Sequence, residues 1–171
     1  MLGLSFEVRA ADVDETLLPG ETAAAAAERL ARAKVEKILP AAGEALVIGA
    51  DTLVVLDGQA LGKPVDEADA RRMLRALSGR RHEAVTGVAI GYGGKIVSGL
   101  ETTGVVFATL SEDEISRYVR TGEPDDKAGA YALQGIGGLF VERIEGSPSN
   151  VIGLPIRLLR ELALRAGVDL L

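Results

Sequence analysis

The chain has 171 residues, of which 47% are hydrophobic, and its 25 acidic and 19 basic side chains give a formal net charge of -6. This length and apolar content suffice for a domain with a buried core and exclude a largely disordered chain. The acidic balance argues against a duplex-binding surface, so we expect no nucleic-acid partner. The sequence contains no cysteine, which excludes disulfides, thiolate metal sites and a cysteine nucleophile. No apolar run approaches the length of a membrane span, so we expect no membrane contact and a cytoplasmic protein.

The N-terminal part predicts a strand and then a helix. Leu4–Val8 alternates apolar and polar residues, as a half-buried strand does, and an acidic stretch ending at Glu15 follows it. Glu21–Leu39 is rich in helix formers and carries one apolar stripe. Lys34 lies on the margin of that stripe, and its ammonium either extends to solvent or leans inward against whatever the helix packs on.

The strand predicted next contains a carboxylate. The apolar run Ala45–Ala50 is followed by Asp51 and Thr52, and a second apolar run, Leu53–Leu56, comes after them. One interpretation ends the strand at Asp51 and places Thr52 in a turn. The other keeps Asp51 in an apolar strand, where an unpaired carboxylate is costly and usually serves a metal, a cation or catalysis. The local pattern leaves both interpretations open.

The middle of the chain predicts a hairpin, two helices and two long strands. Asp57–Gly58 is a strong hairpin signal, and Gly93–Gly94 joins the two long strands. Ser111 and Glu114 form the capping box of the second helix. His82, the single histidine, is expected at a solvated strand start. The predicted ranges are Asp66–Leu77 and Ser111–Arg120 for the helices and Glu83–Tyr92 and Lys95–Thr109 for the strands.

The C-terminal part alternates loops with one strand and one helix. Gly122–Tyr131 combines turn residues with three carboxylates and one lysine, which is typical of a functional loop. A strand is predicted over Leu139–Ile144 and an irregular loop over residues 146–153. The last helix opens with Pro155 and runs to Ala166.

Three loops combine glycine with polar side chains that could bind phosphate. Lys63 lies within Leu61–Pro64, and Lys127 lies within Asp126–Gly129. A lysine beside glycine or proline offers a fixed cation next to exposed backbone N–H groups, which suits phosphate, although each loop could also be an ordinary turn. The third loop, Gln134–Gly138, matches neither a Walker pattern nor a dinucleotide-binding fingerprint.

A series of short blocks occurs in the order and spacing of one protein family. The blocks are Gly49–Thr52, Leu61–Pro64, Leu77–Gly79, Thr86–Gly87, Tyr118, Gly122–Pro124, Asp126–Tyr131, Gln134–Gly135 and Asn150–Pro155. They resemble the Maf proteins, which are nucleoside triphosphate pyrophosphatases once described as septum-formation inhibitors. The resemblance covers essentially the whole chain, which we expect to form a single Maf-like domain over residues 1–171.

The resemblance implies hydrolysis of a nucleoside triphosphate to the monophosphate and pyrophosphate. Asp51 matches the family's catalytic aspartate, which would help to hold a divalent metal cation, Mg²⁺ or Mn²⁺, and would accept a proton from the attacking water. Glu15 matches an acidic residue that the family uses near the site, and we assign it to the metal and the substrate. Lys34 and Lys63 match the family's triphosphate-binding lysines, which favours an inward direction for Lys34.

The resemblance also indicates a branch of the family. One branch carries an Asp-Thr pair and a Gln-Gly loop, and another, which prefers 7-methylguanosine triphosphate, carries Asp-Gln and Glu-Gly. Thr52 and Gln134 therefore imply the branch acting on dTTP and UTP, with both residues helping to read the pyrimidine edge. Asp126 and Lys127 complete the predicted substrate-binding set.

The sequence departs from the family pattern at its start. Family members begin with a strand and a Ser-x-Ser-Pro-Arg-Arg loop ahead of the segment that corresponds to Gly3–Glu7, and this sequence starts at that segment. We expect an N-terminally truncated form whose biological start lies upstream. We also expect the given form to bind triphosphate poorly, because two arginines that would clamp it are missing.

The predicted architecture is an α/β fold with a central mixed, strongly twisted sheet flanked by helices. The resemblance implies two lobes with a cleft between them and a homodimer as the assembly. Two other functions stay open at this point. One is a nucleotide-binding regulator of septum formation and cell division that needs no hydrolysis, and the other is a generic metal phosphohydrolase that releases orthophosphate.

Overall fold

The computed structural model describes Gly3 and residues 5–171, which form a sheet with helices on both faces. The strands are β1 (Val47–Leu56), β2 (Gln59–Leu61), β3 (Arg81–Tyr92), β4 (Lys95–Phe107) and β5 (Val141–Glu145). The helices are α1 (Ala23–Ile38), α2 (Glu67–Leu77), α3 (Glu112–Val119), α4 (Pro148–Ile152) and α5 (Ile156–Ala166), with 3₁₀ turns at Leu39–Ala41, Ala128–Ala130 and Ile136–Phe140. The predicted α/β class with flanking helices is confirmed.

The sheet is antiparallel throughout its described strands, whereas the prediction was a mixed sheet. Its strand order is β2-β1-β3-β4-β5, and every neighbouring pair runs in opposite directions. The chain does make a β2-α2-β3 crossover, the type of connection that parallel strands require. However, β1 lies between β2 and β3, so the two strands that run in the same direction are not paired.

Both predicted hairpins are confirmed. Leu56 pairs with Gln59 across Asp57–Gly58, and Tyr92 pairs with Lys95 across Gly93–Gly94. All four turn residues have positive φ values, between 51° and 78°, as a two-residue turn that matches the twist of the strands requires. The predicted ends of α2 and α3 are close to those observed, because Asp66 and Ser111 cap the two helices as the sequence indicates.

Helix α1 packs very close to one face of the sheet because both surfaces carry small residues. Ala26, Ala27 and Ala31 are buried, and glycines of the sheet face Ala27 and Ala31. A Cβ atom added to Gly87 would lie 2.2 Å from the carbonyl oxygen of Ala27, and one added to Gly49 would lie 2.7 Å from that of Ala31. The alanine run and the strand glycines therefore act together, and they bring the side chains of α1 within reach of β1.

The opposite face is covered by two separate apolar clusters. Val54 and Leu56 belong to a cluster with residues of α2 and α3, and Val88 and Ile90 belong to a cluster with residues of α5. Fully buried polar residues lie on this face between the two clusters: Thr86, Thr103 and Asn150. Hydrogen bonds join these residues to one another and to the backbone, so this middle zone has a polar network rather than an apolar core.

Two predictions about solvent exposure are wrong. Of the predicted strand Leu4–Val8, Leu4 lies outside the described residues, and Ser5–Val8 are exposed and form no strand. An alternating pattern alone does not make a strand, and in the described chain these residues pair with no strand of the sheet. His82 was expected in solvent but is only 1% exposed, because β3 begins at Arg81, two residues earlier than predicted, and turns the His82 side chain onto Phe107.

Two boundaries near the C-terminus also differ from the prediction. The strand expected over Leu139–Ile144 is displaced, since Ile136–Phe140 forms a 3₁₀ turn and β5 starts at Val141. The loop expected over residues 146–153 contains the short helix α4, which opens with Pro148. Across the described part of the chain, no helix is both long and apolar enough to cross a membrane.

Candidate active site

A cleft of about 770 Å³ opens beside strand β1. Seven of the eight predicted site residues line it: Glu15, Asp51, Thr52, Lys63, Asp126, Lys127 and Gln134. The eighth, Lys34, does not line the cleft but contacts two of the lining carboxylates, Glu15 and Asp51. Residues more than 100 positions apart in the sequence are thus brought around one cavity, whose volume is typical of a small-ligand site.

The cleft reaches both faces of the sheet because one edge of β1 is open at this point. Strand β2 pairs only with Val54–Leu56, so the preceding residues of β1 have no partner on that side within the described chain. Side chains alternate along a strand, and Asp51 and Thr52 therefore point to opposite faces. Asp51 faces α1, while Thr52 faces the buried polar zone, and both line the cleft.

The α1 face carries a charged cluster centred on Lys34. The Nζ atom of Lys34 lies 2.5 Å from Oδ1 of Asp51 and 2.9 Å from Oε1 of Glu15. The interpretation that Lys34 extends to solvent is wrong, because its side chain is only 22% exposed and bridges two carboxylates. Asp51 is more enclosed, with 10% of its side chain exposed. Strand β1 continues through Asp51 to Leu56, so the interpretation that the strand ends at Asp51 is wrong.

The charges in this cluster shift one another's protonation. Burial raises the pKa of Asp51, against the opposing attraction of the Lys34 ammonium, and the nearby Glu15 charge raises it further. Burial of Lys34 disfavours its charged form, but the hydrogen bonds to Asp51 and Glu15 outweigh it and raise the pKa of Lys34. The hydrogen bond from Lys34 lowers the pKa of Glu15. Lys34 therefore stays protonated and Glu15 stays ionised, and Asp51 is the group of the three best suited to accept a proton.

Side chains of α1 hold the segment that carries Glu15. Arg29 donates to the carbonyl oxygen of Thr16 at 3.1 Å, and Lys37 donates to that of Asp12. These two contacts flank Glu15 in the sequence and fix the backbone on either side of it. An irregular segment can thus present a carboxylate to Lys34 without belonging to the sheet.

The remaining charged residues of the set are more exposed. Nζ of Lys63 lies 3.6 Å from Oε2 of Glu15, and its side chain is 60% exposed. Nζ of Lys127 lies 2.5 Å from Oδ1 of the neighbouring Asp126. A surface pair of this kind contributes little to stability, so both lysines can turn toward an anionic ligand at small cost.

On the other face, Thr52 belongs to a neutral hydrogen-bond network. Its Oγ1 lies 2.9 Å from Oγ1 of Thr86, the residue opposite it on β3. Thr86 donates to the backbone carbonyl of Asn150 at 3.0 Å. The side chain of Asn150 in turn donates to the carbonyl oxygen of Ala84 and to Oγ1 of Thr103, both at 3.0 Å. The sequence prediction named Thr52 but missed Thr86 and Asn150, which are buried behind it and do not line the cleft.

Glu123 is a further residue that the site prediction missed, although its block carried the family resemblance. Its carboxylate accepts hydrogen bonds from the backbone N–H groups of Ile136 and Gly137, each at 2.9 Å, and from the hydroxyl of Tyr118 at 2.9 Å. These donors outweigh the effect of burial and lower the pKa of Glu123. The carboxylate thereby anchors the loop that follows Gln134, which orients that loop at the cleft.

The residues of the cleft fit a divalent cation bound together with a ligand. Among Gly3 and residues 5–171, no group of three or more His, Cys, Asp or Glu side chains is arranged to hold a metal ion. Glu15 and Asp51 nevertheless converge on a single ammonium group, so their oxygens can share a cation. Mg²⁺ is commonly bound through one or two carboxylates together with substrate phosphates, and this pair supplies that part of a coordination shell.

An α/β protein with carboxylates and lysines converging on a cleft beside its sheet has the layout of an enzyme that binds a phosphorylated ligand. Comparison with known proteins narrows this class. The family model described as Maf-like protein matches residues 1–166, and the chain belongs to the Maf family.

Curated relatives are similar over nearly the whole chain. A protein of Chromobacterium violaceum is 49% identical over 174 residues, which cover 99% of this chain and 88% of the relative. A protein of Anaeromyxobacter sp. is 53% identical over 171 residues, which cover 97% of this chain and 82% of the relative. A third, from Hahella chejuensis, is 48% identical over 177 residues. All three relatives are named dTTP/UTP pyrophosphatase.

Proposed function

We propose that this chain hydrolyses dTTP and UTP to the nucleoside monophosphate and pyrophosphate. The name shared by relatives at about 50% identity supports this activity. The observation that carries it is Asp51, an enclosed carboxylate that a lysine holds at the open edge of a strand inside a ligand-sized cleft. Such a group has a rigid position and a raised pKa, which are the properties of a general base.

The charged face of β1 would bind the triphosphate and carry out the chemistry. Asp51 accepts a proton from the attacking water, and Lys34 keeps the carboxylate oriented and draws in phosphate oxygens. Lys63 and Lys127 add positive charge at the rim. Glu15 and Asp51 would hold the divalent metal, which when bound would neutralise phosphate charge and help to orient the nucleophile.

The neutral face would bind the base. Thr52 and Gln134 line this side of the cleft, and the carboxylate of Glu123 fixes the loop after Gln134. Asp126 lines the same cleft and pairs with Lys127, so it would position that lysine. The choice between Mg²⁺ and Mn²⁺, the homodimer and the cytoplasmic location stay predictions from the resemblance and the composition.

Hydrolysis is favoured over the two other functions. A regulator that only binds nucleotide could use Asp51 for the metal but would need no enclosed carboxylate with a raised pKa to accept a proton. A generic phosphohydrolase would release orthophosphate rather than pyrophosphate. The identity of the released phosphate therefore separates the two hydrolytic reactions, and a variant of Asp51 separates hydrolysis from binding.

The test measures pyrophosphate and orthophosphate released from dTTP and UTP with Mg²⁺ or Mn²⁺. We expect pyrophosphate as the product, and we expect Asp51→Asn to lower kcat/KM by about 10²–10⁴-fold, the range for loss of a general base. Nucleotide binding to Asp51→Asn should persist, because the lysines remain.

The matched control is Asp113→Asn, which removes an exposed aspartate of α3 that pairs with Arg117 outside the cleft. It should retain the activity of the parent protein. Orthophosphate as the main product, or an Asp51→Asn variant with full activity, would contradict the proposal.

A further inference from the structure

The network behind Thr52 fixes the direction in which its hydroxyl proton points. Thr86 is fully buried and has a single hydroxyl proton, and its oxygen lies close to two others. One of these is the backbone carbonyl oxygen of Asn150, at 3.0 Å, which can only accept a hydrogen bond. If the proton pointed elsewhere, two sets of lone pairs would face each other in a buried site, so Thr86 donates to Asn150.

The second neighbour of Thr86 must therefore be a donor. The Oγ1 atoms of Thr52 and Thr86 are 2.9 Å apart, and the proton of Thr86 is already used. Thr52 consequently donates its own proton to Thr86. The Thr52 oxygen therefore presents only lone pairs to the cleft. It can accept a hydrogen bond from a ligand but cannot donate one.

The carbonyl that starts this relay cannot easily move. Nδ2 of Asn150 donates to the carbonyl oxygen of Ala84 and to Oγ1 of Thr103, each at 3.0 Å, and the residue is fully buried. The backbone N–H of Gly153 also donates to the Asn150 carbonyl at 3.0 Å. The acceptor that orients Thr86 is thus held by the sheet on one side and by the end of α4 on the other.

We propose that Thr86 and Asn150 are specificity-determining residues that make Thr52 a fixed acceptor for a base bearing an imide N–H. This inference rests on the proposed function. Uracil and thymine present a donor at N3, whereas cytosine presents an acceptor at the same position. A fixed acceptor that faces position 3 of the base therefore favours uracil-type over cytosine-type nucleotides, because cytosine at that position would leave two sets of lone pairs facing each other. Thr86 and Asn150 act through Thr52 and are positioning residues.

The experiment compares dUTP with dCTP, which differ only at the edge in question. The readout is the ratio of kcat/KM for the two nucleotides in the parent protein, Thr86→Val and Thr86→Ser. Valine fills the space of threonine but cannot accept the Thr52 proton, so the Thr52 hydroxyl becomes free to donate to cytosine. We expect Thr86→Val to lower the dUTP:dCTP ratio about tenfold and Thr86→Ser, which keeps the hydroxyl, to retain it.

A double-mutant cycle separates this role from a merely structural one. Thr52→Val should lower the ratio as much as Thr86→Val, and the double variant should lower it no further, because both changes break one relay. If Thr86→Val does not fold, Thr52→Val alone decides. A parent protein that does not discriminate between the nucleotides, or a ratio that survives in folded Thr86→Val or in Thr52→Val, would overturn the proposal.

A binding arm keeps this test distinct from the test of hydrolysis. The affinities for dUTP and dCTP are measured by calorimetry on the Asp51→Asn background, with and without Thr86→Val. The proposal expects the same tenfold loss of preference in affinity. If no pyrophosphate is released from any nucleotide but this preference is present and depends on Thr86, the proposed activity fails while the inference about Thr86 stands. Equal affinities on the Asp51→Asn background would overturn the inference instead.

Discussion

The two faces of strand β1 recognise a ligand by different physical means. The face toward α1 uses charge, with Lys34 held between Asp51 and Glu15, and is partly open to solvent. The other face uses neutral groups, with Thr52 joined to the fully buried Thr86. Charge attracts phosphate from any direction and tells one nucleotide from another poorly. A neutral hydroxyl attracts weakly, but a fixed proton direction lets it distinguish a donor from an acceptor.

This division explains how adjacent residues can serve the two ends of one ligand. Side chains alternate along a strand, so Asp51 and Thr52 would normally be separated by the sheet. Because β2 pairs only with Val54–Leu56, the edge beside them is open and the cleft reaches both faces. The short β2 is thus a requirement of the site, and the comparison of the faces can be tested by disturbing each of them.

The largest expected effect comes from the packing that supports the charged face. In Gly87→Ala, the new Cβ would lie 2.2 Å from the carbonyl oxygen of Ala27, and a backbone atom cannot move aside without shifting α1. We expect the free energy of unfolding to fall by about 3 kcal/mol or more, the upper range for overpacking. Urea denaturation followed by circular dichroism measures it.

The matched control for this packing is Gly62→Ala. No atom lies within 4 Å of the added Cβ at Gly62, which also lines the cleft. Its free energy of unfolding should stay within about 0.5 kcal/mol of the parent value, as for an ordinary surface change. Equal stability of the Gly62→Ala and Gly87→Ala variants would mean that α1 does not depend on close contact with the sheet.

A second effect, on activity rather than on stability, is expected from removing the central cation of the charged face. Lys34→Met should lower kcat/KM by about 10²–10³-fold, as the loss of one preorganised donor to a developing charge does. It should also move the acid limb of the pH–rate profile to higher pH. Lys34 opposes the burial that raises the pKa of Asp51, so without it Asp51 protonates more readily.

Lys63→Met is the control for the Lys34 variant. Lys63 approaches Glu15 rather than Asp51. Of the groups that shift the pKa of Asp51, Lys63 has the smallest effect. The acid limb should therefore move less than in Lys34→Met. If the two variants shifted the limb equally, or if neither did, Lys34 would not be the residue that controls the protonation of Asp51.

The sequence alone predicted the charged face better than the neutral one. Asp51 interrupts an apolar run and Lys34 lies on the margin of an apolar stripe, so each is visible in the local pattern. Their pairing depends on the close approach of α1, which single-residue patterns do not encode. The family resemblance, rather than any pattern of residues, led to Thr52 and Gln134.

Apart from the family blocks that contain Thr86 and Asn150, the sequence of the neutral face carries no local signal. Thr86 occupies an ordinary place in a strand, where threonine is common, and Asn150 lies in what was predicted as an irregular loop. Their roles arise from a hydrogen bond between residues 64 positions apart. The antiparallel order of the sheet could not be predicted for the same reason, because it depends on which strand inserts between β2 and β3.

The neutral face should also respond to acid, through His82. Its side chain is buried, lies 2.9 Å from the hydroxyl of Tyr131, and packs edge-on against Phe107. Burial lowers the pKa of His82 from 6.5 to about 4. Between pH 6.5 and about 4, His82 is therefore protonated in the unfolded chain but stays neutral in the native protein.

Stability should fall as the pH decreases from 6.5 to about 4, and the His82 contribution is on the order of 3 kcal/mol. His82→Gln, which can still bond the Tyr131 hydroxyl, should lose this part of the pH dependence. The measurement is the free energy of urea unfolding at several pH values between 7 and about 4. Carboxylates titrate in the same range, but they are common to both proteins and cancel in the difference. If the free energy of unfolding varied with pH in the same way in the parent protein and in His82→Gln, the neutral face would tolerate a buried imidazolium. The distinction between a charged face and a face that excludes charge would then be wrong.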